Sequence, residues 1–192
     1  MSKKYLETIK ILDQKIYNLT YHQKRVEKTI GEGFLDLGSI IKPPKDKRLL
    51  RCRIVYNQKE YTIEYIPYEK REVNTITLVF DDEIEYSRKY ADRAAIERLF
   101  AQRDGCDEIL IVKNGLLTDT SIANIALFDG EKWLTPKTPL LEGTMRAKLL
   151  DEKEIVPADI HYKDLQNFKK LALLNAMIDF DIIRKNIEDI IC

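Results

Sequence analysis

Lysine 89 is the residue whose type and position could carry covalent chemistry. It lies just before a predicted helix and just after an acidic break at 81–83. A lysine at such a junction is usually exposed to solvent. If Lys89 were instead buried between two domains, desolvation would lower its pKa and make the amine a nucleophile toward carbonyl groups.

Two further places contain residues that could carry chemistry. Gly143 stands at the start of a helix predicted at 143–152. A helix start offers N–H groups and a partial positive charge that suit phosphate. His22 and Arg25 are three residues apart and share one face of another predicted helix. A turn glycine and a solvated helix face are the ordinary alternatives, so neither feature is specific alone.

The elements that must position these residues follow from hydrophobic periodicity and turn residues. Thr20 is predicted as an N-cap that forms a capping box with Gln23. Asn57–Gln58, Asn114–Gly115 and Asp129–Gly130 are predicted hairpin turns. The predicted strands are 6–11, 16–19, 49–56, 60–66, 74–80, 108–112, 125–128, 132–135, 170–174 and 180–183, and the predicted helices are 20–31, 91–103, 143–152 and 164–168.

This order of elements predicts an α+β fold rather than a regular alternation of strand and helix. The acidic break separates a small N-terminal α/β domain at 1–82 from a larger, β-rich C-terminal domain with packed helices at 83–192. Neither a Walker loop nor a G-x-G-x-x-G pattern occurs, so nucleotide binding through those loops is not supported.

The composition excludes several classes of protein. Lys plus Arg and Asp plus Glu both number 32, so net charge gives no reason to expect nucleic acid or an anionic membrane as partner. No apolar run approaches the ~20 residues of a membrane span, and the first residues lack a signal-peptide pattern, which predicts a cytoplasmic protein. Cys52, Cys106 and Cys192 lack metal-site spacing, so we expect no metal and three reduced, structural thiols.

Read in order, several segments resemble the fold-type IV enzymes that depend on pyridoxal 5'-phosphate (PLP). This family includes the branched-chain and D-amino-acid aminotransferases and 4-amino-4-deoxychorismate lyase. Each segment is weakly specific, but the ordered set covers nearly the whole chain. The matching segments are 5–9, 22–26 with its H-x-x-R pattern, 89–93, 107–112, 117–125, 134–136, 141–146 and 175–177.

The resemblance implies the two-domain fold of D-amino-acid aminotransferase, PLP as cofactor and a role for each matching residue. Lys89 would hold PLP covalently and then move protons at the substrate's α carbon or the cofactor's C4'. Arg25 would bind the phosphate, and Asp119 would face the pyridine nitrogen, at a position where the family usually has Glu. The other implied cofactor-binding residues are Thr144 and Met145, through their backbone N–H groups, and Asn175 and Ala176.

Met145 and the segment 175–177 resemble the lyase more than the aminotransferases. They predict conversion of 4-amino-4-deoxychorismate to 4-aminobenzoate and pyruvate in folate biosynthesis. The alternatives are a class IV aminotransferase acting on a branched-chain or D-amino acid, and a non-catalytic protein that retains the fold, since the first domain is short for the family. The resemblance also implies a homodimer with a small-molecule substrate. Candidates for a substrate carboxylate, each with a surface role as the alternative, are Arg51, Arg53, Tyr65 and Arg71.

Overall fold

The chain forms two compact units in a computed structural model that describes residues 3–191. Unit 1 comprises Met1–Lys70 and Arg88–Asp92, and unit 2 comprises Arg71–Ser87 and Arg93–Cys192. The mixture of β-sheets and short helices confirms the predicted α+β class. The predicted division into domains at 1–82 and 83–192 is a statement about parts that fold independently. Compact units do not test independent folding, so this division stays a prediction.

Unit 1 is a four-stranded antiparallel sheet in the order β2-β1-β3-β4. β1 pairs with β3 from Tyr5 opposite Tyr56 to Ile11 opposite Leu50. Alternate side chains point to one face, where they pack with two helices in a buried core. The strands are β1 (Tyr5–Leu12), β2 (Lys15–Ile16), β3 (Leu50–Tyr56) and β4 (Tyr61–Pro67), and the helices are α1 (Leu19–Ile30) and α2 (Leu37–Ile40).

The start of α1 corrects two predictions. The predicted strand at 16–19 ends at Ile16, and the helix begins at Leu19 after Asn18, whose φ of 54° is left-handed. Thr20 therefore lies inside the helix and is not its N-cap. Gln23 makes no capping box, because its amide donates to the Leu35 carbonyl at 3.0 Å and accepts from the Leu37 N–H at 2.9 Å.

Unit 2 is an eight-stranded sheet in which six strands follow the order β10-β9-β8-β7-β6-β5, while β11 pairs with β8 and β12. The pairs β5–β6 and β9–β10 are parallel and the others antiparallel. The strands are β5 (Ile76–Phe80), β6 (Glu108–Lys113), β7 (Leu116–Thr120), β8 (Asn124–Phe128), β9 (Trp133–Pro136), β10 (Val156–Ala158), β11 (Lys170–Asn175) and β12 (Asp179–Ile182).

Helices of unit 2 cover its central strands on both faces. On β6, Ile109 and Ile111 pack in one buried cluster with α3, while Leu110 and Val112 belong to a second cluster. A strand buried on both faces is continuously apolar, as the sequence of β6 is. Sequence periodicity did not identify β7, β10 or α5. The helices are α3 (Ala94–Phe100), α4 (Thr144–Asp151), a 3-10 helix (Tyr162–Asn167) and α5 (Ile187–Ile190).

Lys89 does not lie at a helix entrance, since α3 begins only at Ala94. The segment 88–92 returns to unit 1, where Tyr90 forms an isolated antiparallel bridge with Tyr5. There the Leu6 N–H donates to the Lys89 carbonyl at 2.8 Å, and the Ala91 N–H donates to the Lys4 carbonyl at 2.9 Å. Lys89 is half-buried beside β1. The predicted helix at 91–103 thus began too early, because pairing with a distant strand outweighs local helix propensity.

Two of the three cysteines are described, and they differ. Cys52 is a buried free thiol whose pKa is raised to about 12 by burial, so it is a poor nucleophile. Cys106 is disulfide-bonded, so the expectation of reduced thiols is wrong for this residue. Cys192 lies outside the described residues.

Residues 3–191 contain neither a group of potential metal ligands nor a helix that could span a membrane. No three His, Cys, Asp or Glu side chains are grouped there as a metal ion would require. Within the same range, every helix is too short or too polar to cross a bilayer.

Candidate active site

A buried carboxylate in unit 1 anchors the predicted phosphate ligand. Glu7 is fully buried on β1, and Arg25 donates from Nε to one of its oxygens at 2.8 Å and from Nη2 to the other at 2.6 Å. Burial alone would raise the pKa of Glu7, but the charge of Arg25 and the hydrogen bond of His22 lower it to about 2. Glu7 is therefore an anion at neutral pH, and it fixes the guanidinium of Arg25.

His22 joins the same network and relates it to Lys89. Its Nδ1 lies 2.5 Å from a Glu7 oxygen, and its ring is fully buried. Burial lowers the pKa of His22 and outweighs the opposing effect of Glu7, while the charges of Arg25 and Lys89 lower it further. His22 is thus neutral at pH 7 and donates to Glu7. Because the Lys89 charge acts on His22, Lys89 lies within electrostatic range of this network in unit 1.

Unit 2 contains a second buried carboxylate, Asp119, near the end of β7. It is 5% exposed, and its oxygens accept from Asn124 Nδ2 at 2.7 Å and from the Leu141 N–H at 2.8 Å. Burial raises the pKa of Asp119 to about 6, although these hydrogen bonds and the charge of Arg146 oppose the shift. A protonated ring nitrogen beside Asp119 would favour its ionised form.

The loop before α4 approaches Asn124 so closely that only glycine fits at 143. Asn124 Nδ2 also donates to the Leu141 carbonyl at 2.7 Å. A Cβ atom at Gly143 would lie 2.0 Å from Asn124 Oδ1. Gly143 is the N-cap of α4 and makes no side-chain cap hydrogen bond, and the helix begins with the buried residues Thr144 and Met145. This helix start therefore suits an anionic group.

The side chain of Asn175 hydrogen-bonds to backbone groups of the protein itself. Its amide donates to the Ile122 carbonyl at 3.2 Å, and its oxygen accepts from the N–H groups of Met177 at 2.9 Å and Ile178 at 3.1 Å. The side chain thus ties the β11–β12 turn to the loop after β7. The phosphate contacts predicted for Asn175 and Ala176 stay predictions and would come from the backbone.

The four residues that were candidates for binding a substrate carboxylate have different surroundings. Arg53 pairs with Glu64 at 3.1 Å, and the Tyr65 hydroxyl accepts from the Lys42 N–H at 2.8 Å. Arg71 belongs to unit 2 and pairs with a buried glutamate on β6. Arg51 Nε is buried without a hydrogen-bond partner among the described residues.

Sequence reasoning assigned no role to Glu7, Asn124 or Arg146. Arg146 is 7% exposed, and it donates to Thr135 Oγ1 at 3.3 Å and to the Pro136 carbonyl at 2.8 Å. A signal existed for Glu7, because it occupies an inward position in the alternation of β1. A charged residue at an inward position is paired when the fold is stable.

The buried Asp119 should make the stability of the cofactor-free protein depend on pH. Because its folded pKa lies above its unfolded value of 3.8, its contribution is fully present below pH 3.8 and is lost as pH rises through about 6. Asparagine does not ionise in this pH range, so D119N has no such pH-dependent contribution to lose. Its free energy of unfolding relative to wild type should therefore rise by up to about 3 kcal/mol between pH 4 and pH 7.5, measured by urea unfolding.

Asp129 provides a control of opposite sign for this measurement. It lies half-buried in a turn, where hydrogen bonds from the backbone N–H groups of Lys132 and Glu131 lower its pKa. D129N should lose stability relative to wild type as pH rises. Parallel pH profiles of wild type and D119N would contradict the assignment of a raised pKa to Asp119.

Unit 1 thus contains Lys89 and the anchored Arg25, and unit 2 contains the buried Asp119. The fold defined by these units is that of the fold-type IV enzymes. The chain belongs to the class IV aminotransferase family, whose model, described as amino-transferase class IV, matches residues 87–185.

Three similar proteins illustrate the match. A Haemophilus influenzae protein without an assigned function is 44% identical over 180 residues, which cover 89% of this chain and 96% of that protein. A structure from Haemophilus somnus 129PT, provisionally named a 4-amino-4-deoxychorismate lyase, is 36% identical with a TM-score of 0.80, covering 92% of this chain and 97% of that one. A PLP-bound aminotransferase structure from Brucella abortus is 14% identical, has a TM-score of 0.72, covers 95% and 82%, and shows the fold alone.

These findings confirm the predicted family, its fold and its enzyme class. The protein is a PLP-dependent enzyme of the class IV aminotransferase and lyase type. The residues around Asp119 fit this cofactor, because a nine-tenths buried carboxylate suits the ring nitrogen and the start of α4 suits the phosphate. The reaction and the role of each residue are matters for proposal.

Proposed function

We propose that this enzyme is a lyase that converts 4-amino-4-deoxychorismate to 4-aminobenzoate and pyruvate, a step of folate biosynthesis. The observation that carries the proposal is the buried Asp119, which accepts from the Leu141 N–H just before the start of α4, so that the acid suits the ring of PLP and the helix start suits its phosphate. The choice of lyase is supported by the 36% identical H. somnus protein, which spans nearly the same length.

Each predicted residue has a defined task in this proposal. Lys89 would hold the cofactor through its ε-amino group and, once released, move a proton at the substrate carbon that bears the amine. Arg25, fixed by Glu7, would bind the phosphate together with the N–H groups of Thr144 and Met145. When bound, PLP supplies an electron sink for the negative charge left by proton removal.

The ring nitrogen of the cofactor would be the partner of Asp119. The hydrogen bonds from Asn124 and the Leu141 N–H hold both carboxylate oxygens in place. With its pKa raised to about 6 by burial, Asp119 stays mostly ionised at pH 7 and favours a protonated ring nitrogen. Aspartate is one methylene shorter than the glutamate usual in the family, so its fixed position matters more.

The atoms of the two products together equal those of the substrate, so the lyase reaction needs neither water nor a second substrate. An aminotransferase, in contrast, needs a keto acid to accept the amino group. This difference separates the proposal from its nearest rival without reference to any structure.

The test is to incubate the purified PLP-loaded protein with 4-amino-4-deoxychorismate and no keto acid. We expect stoichiometric 4-aminobenzoate and pyruvate, measured by chromatography, over many turnovers. Conversion of a branched-chain or D-amino acid to its keto acid, with accumulation of pyridoxamine phosphate, would instead favour the aminotransferase. A colourless protein that gains no absorbance band after addition of PLP would rule out both reactions.

A homodimer in the cytoplasm belongs to the same proposal. Its support is the resemblance to fold-type IV enzymes, and light scattering of the PLP-loaded protein tests the oligomeric state. A monomer that turned over at full rate would remove the dimer from the proposal and leave the chemistry unchanged.

A further inference from the structure

The tip of the β7–β8 hairpin, residues 121–123, is held from three separate elements of unit 2. The Ser121 N–H donates to Glu108 Oε1 at 3.2 Å, and the Ser121 carbonyl accepts from Arg93 Nη2 at 2.8 Å. The Ile122 carbonyl accepts from Asn175 at 3.2 Å. A hairpin tip is usually tied to its own strands alone, so these three contacts restrain this tip unusually well.

Glu108 is the charged centre of this arrangement. It is fully buried at the start of β6, and its Oε1 also accepts from the Ile109 N–H at 2.9 Å. Its Oε2 accepts from Arg71, whose guanidinium lies 5.4 Å from the centre of the Phe100 ring. A buried carboxylate is costly unless its oxygens are satisfied, and both oxygens of Glu108 are. Its orientation, and hence the position of Ser121, is fixed.

The direct pairing between the two strands that flank this tip is short. Among the described residues, the paired register of β7 and β8 consists of Asp119 opposite Asn124, while β7 also pairs with β6 and β8 with β11. A longer ladder between β7 and β8 would resist displacement by more hydrogen bonds, so the tip adds to the restraint that the outer neighbours give this pair. Displacement of the tip would therefore move Asp119 relative to Asn124 and Leu141.

We propose that Glu108 is a positioning residue that acts through Ser121 to hold Asp119 in its working geometry. The inference rests on the proposed function, because it assumes that Asp119 serves the cofactor. Glu108 itself is assigned no contact with substrate or cofactor. A merely structural role would lower stability without any specific relation to Asp119.

The first test is E108Q, which removes the charge that holds Arg71. Misplacement by about 1 Å can cost up to about a hundredfold in rate, and we expect kcat of the PLP-loaded protein to fall about tenfold, with KM and bound PLP changed less than about twofold. The matched control is D81N, which breaks the Asp81–Arg98 ion pair of 2.7 Å in the same unit and should leave kcat within about twofold. If E108Q does not fold, R71K is the milder variant and should act in the same direction.

The decisive measurement is a double-mutant cycle with D119N. If Glu108 acts through Asp119, E108Q/D119N should be no slower than D119N alone, within about twofold. Rate losses that multiply would overturn the inference. An unchanged kcat in D119N would instead refute the role of Asp119 in the proposed function.

A second readout needs no cofactor and no turnover. In the cofactor-free protein, the pH-dependent stability difference between wild type and D119N reports the pKa of Asp119. We expect the same difference, measured in the E108Q background, to shrink by at least about half, because a displaced Asp119 is better solvated. An undiminished difference, with D81N behaving as wild type, would show that Glu108 does not position Asp119.

Discussion

Replacement of Lys89 by Ala is expected to abolish the absorbance band of lysine-bound PLP and to lower turnover by at least about a thousandfold. The proposed chemistry requires an amine at this position, and alanine has none. The hydrogen bond from the Leu6 N–H is accepted by the backbone carbonyl of residue 89, so alanine preserves it. We therefore expect a change of less than about 1 kcal/mol in the free energy of unfolding.

The control for this experiment is K59A, at an exposed turn of unit 1 between β3 and β4. It should retain both the band and the turnover of wild type. K89R adds a second comparison, since it keeps the positive charge but cannot form the covalent link. If the band survives in K89A, a different lysine holds the cofactor and the assignment is wrong.

The second large effect is expected for G143A. The added Cβ would lie 2.0 Å from Asn124 Oδ1, and Asn124 cannot turn away without losing its hydrogen bonds to Asp119 and Leu141. Overpacking of this kind typically costs about 1–3 kcal/mol. We expect a loss of about 2 kcal/mol in stability and at least a tenfold weaker affinity for PLP, because the start of α4 must move.

The matched control is G38A in α2 of unit 1. Its Cβ would lie 3.3 Å from the carboxylate of Asp36, which can move away. Stability should change by less than about 1 kcal/mol, and PLP affinity should be that of wild type. A G143A protein with normal PLP affinity, measured by absorbance titration, would show that the start of α4 does not hold the cofactor.

Much of the fold could be predicted from local pattern. The strands β3 and β4 and helix α4 follow from alternation and turn residues within one or two positions. The start of α1 could not be predicted in this way, since Asn18 adopts a left-handed conformation that no sequence rule demanded. The apparent capping box was a coincidence of spacing, because the side chain of Gln23 is used by residues 35 and 37.

The sequence predicts which residues are candidates for the site, but it predicts few of the hydrogen bonds and ion pairs that these residues make. Family resemblance predicted Lys89, Arg25 and Asp119 as site residues, and the partners that fix Arg25 and Asp119 come from distant segments. Glu7 is 18 residues from Arg25, and Leu141 is 22 residues from Asp119. Such partners depend on which strands become neighbours, and local periodicity holds no information about this.

The return of residues 88–92 to unit 1 has a consequence for how the enzyme is made. The stretch between Lys70 and Arg88 belongs to unit 2, so no single cut of the chain separates the two units intact. During synthesis, some eighty residues must be added after β1 has been made before the segment that bears Lys89 can pair with it. A ribosome-bound chain stalled before residue 88 would thus fold a sheet without its lysine. The amine that we propose to hold the cofactor should therefore reach unit 1 late, when the strands that pair with its segment have already formed.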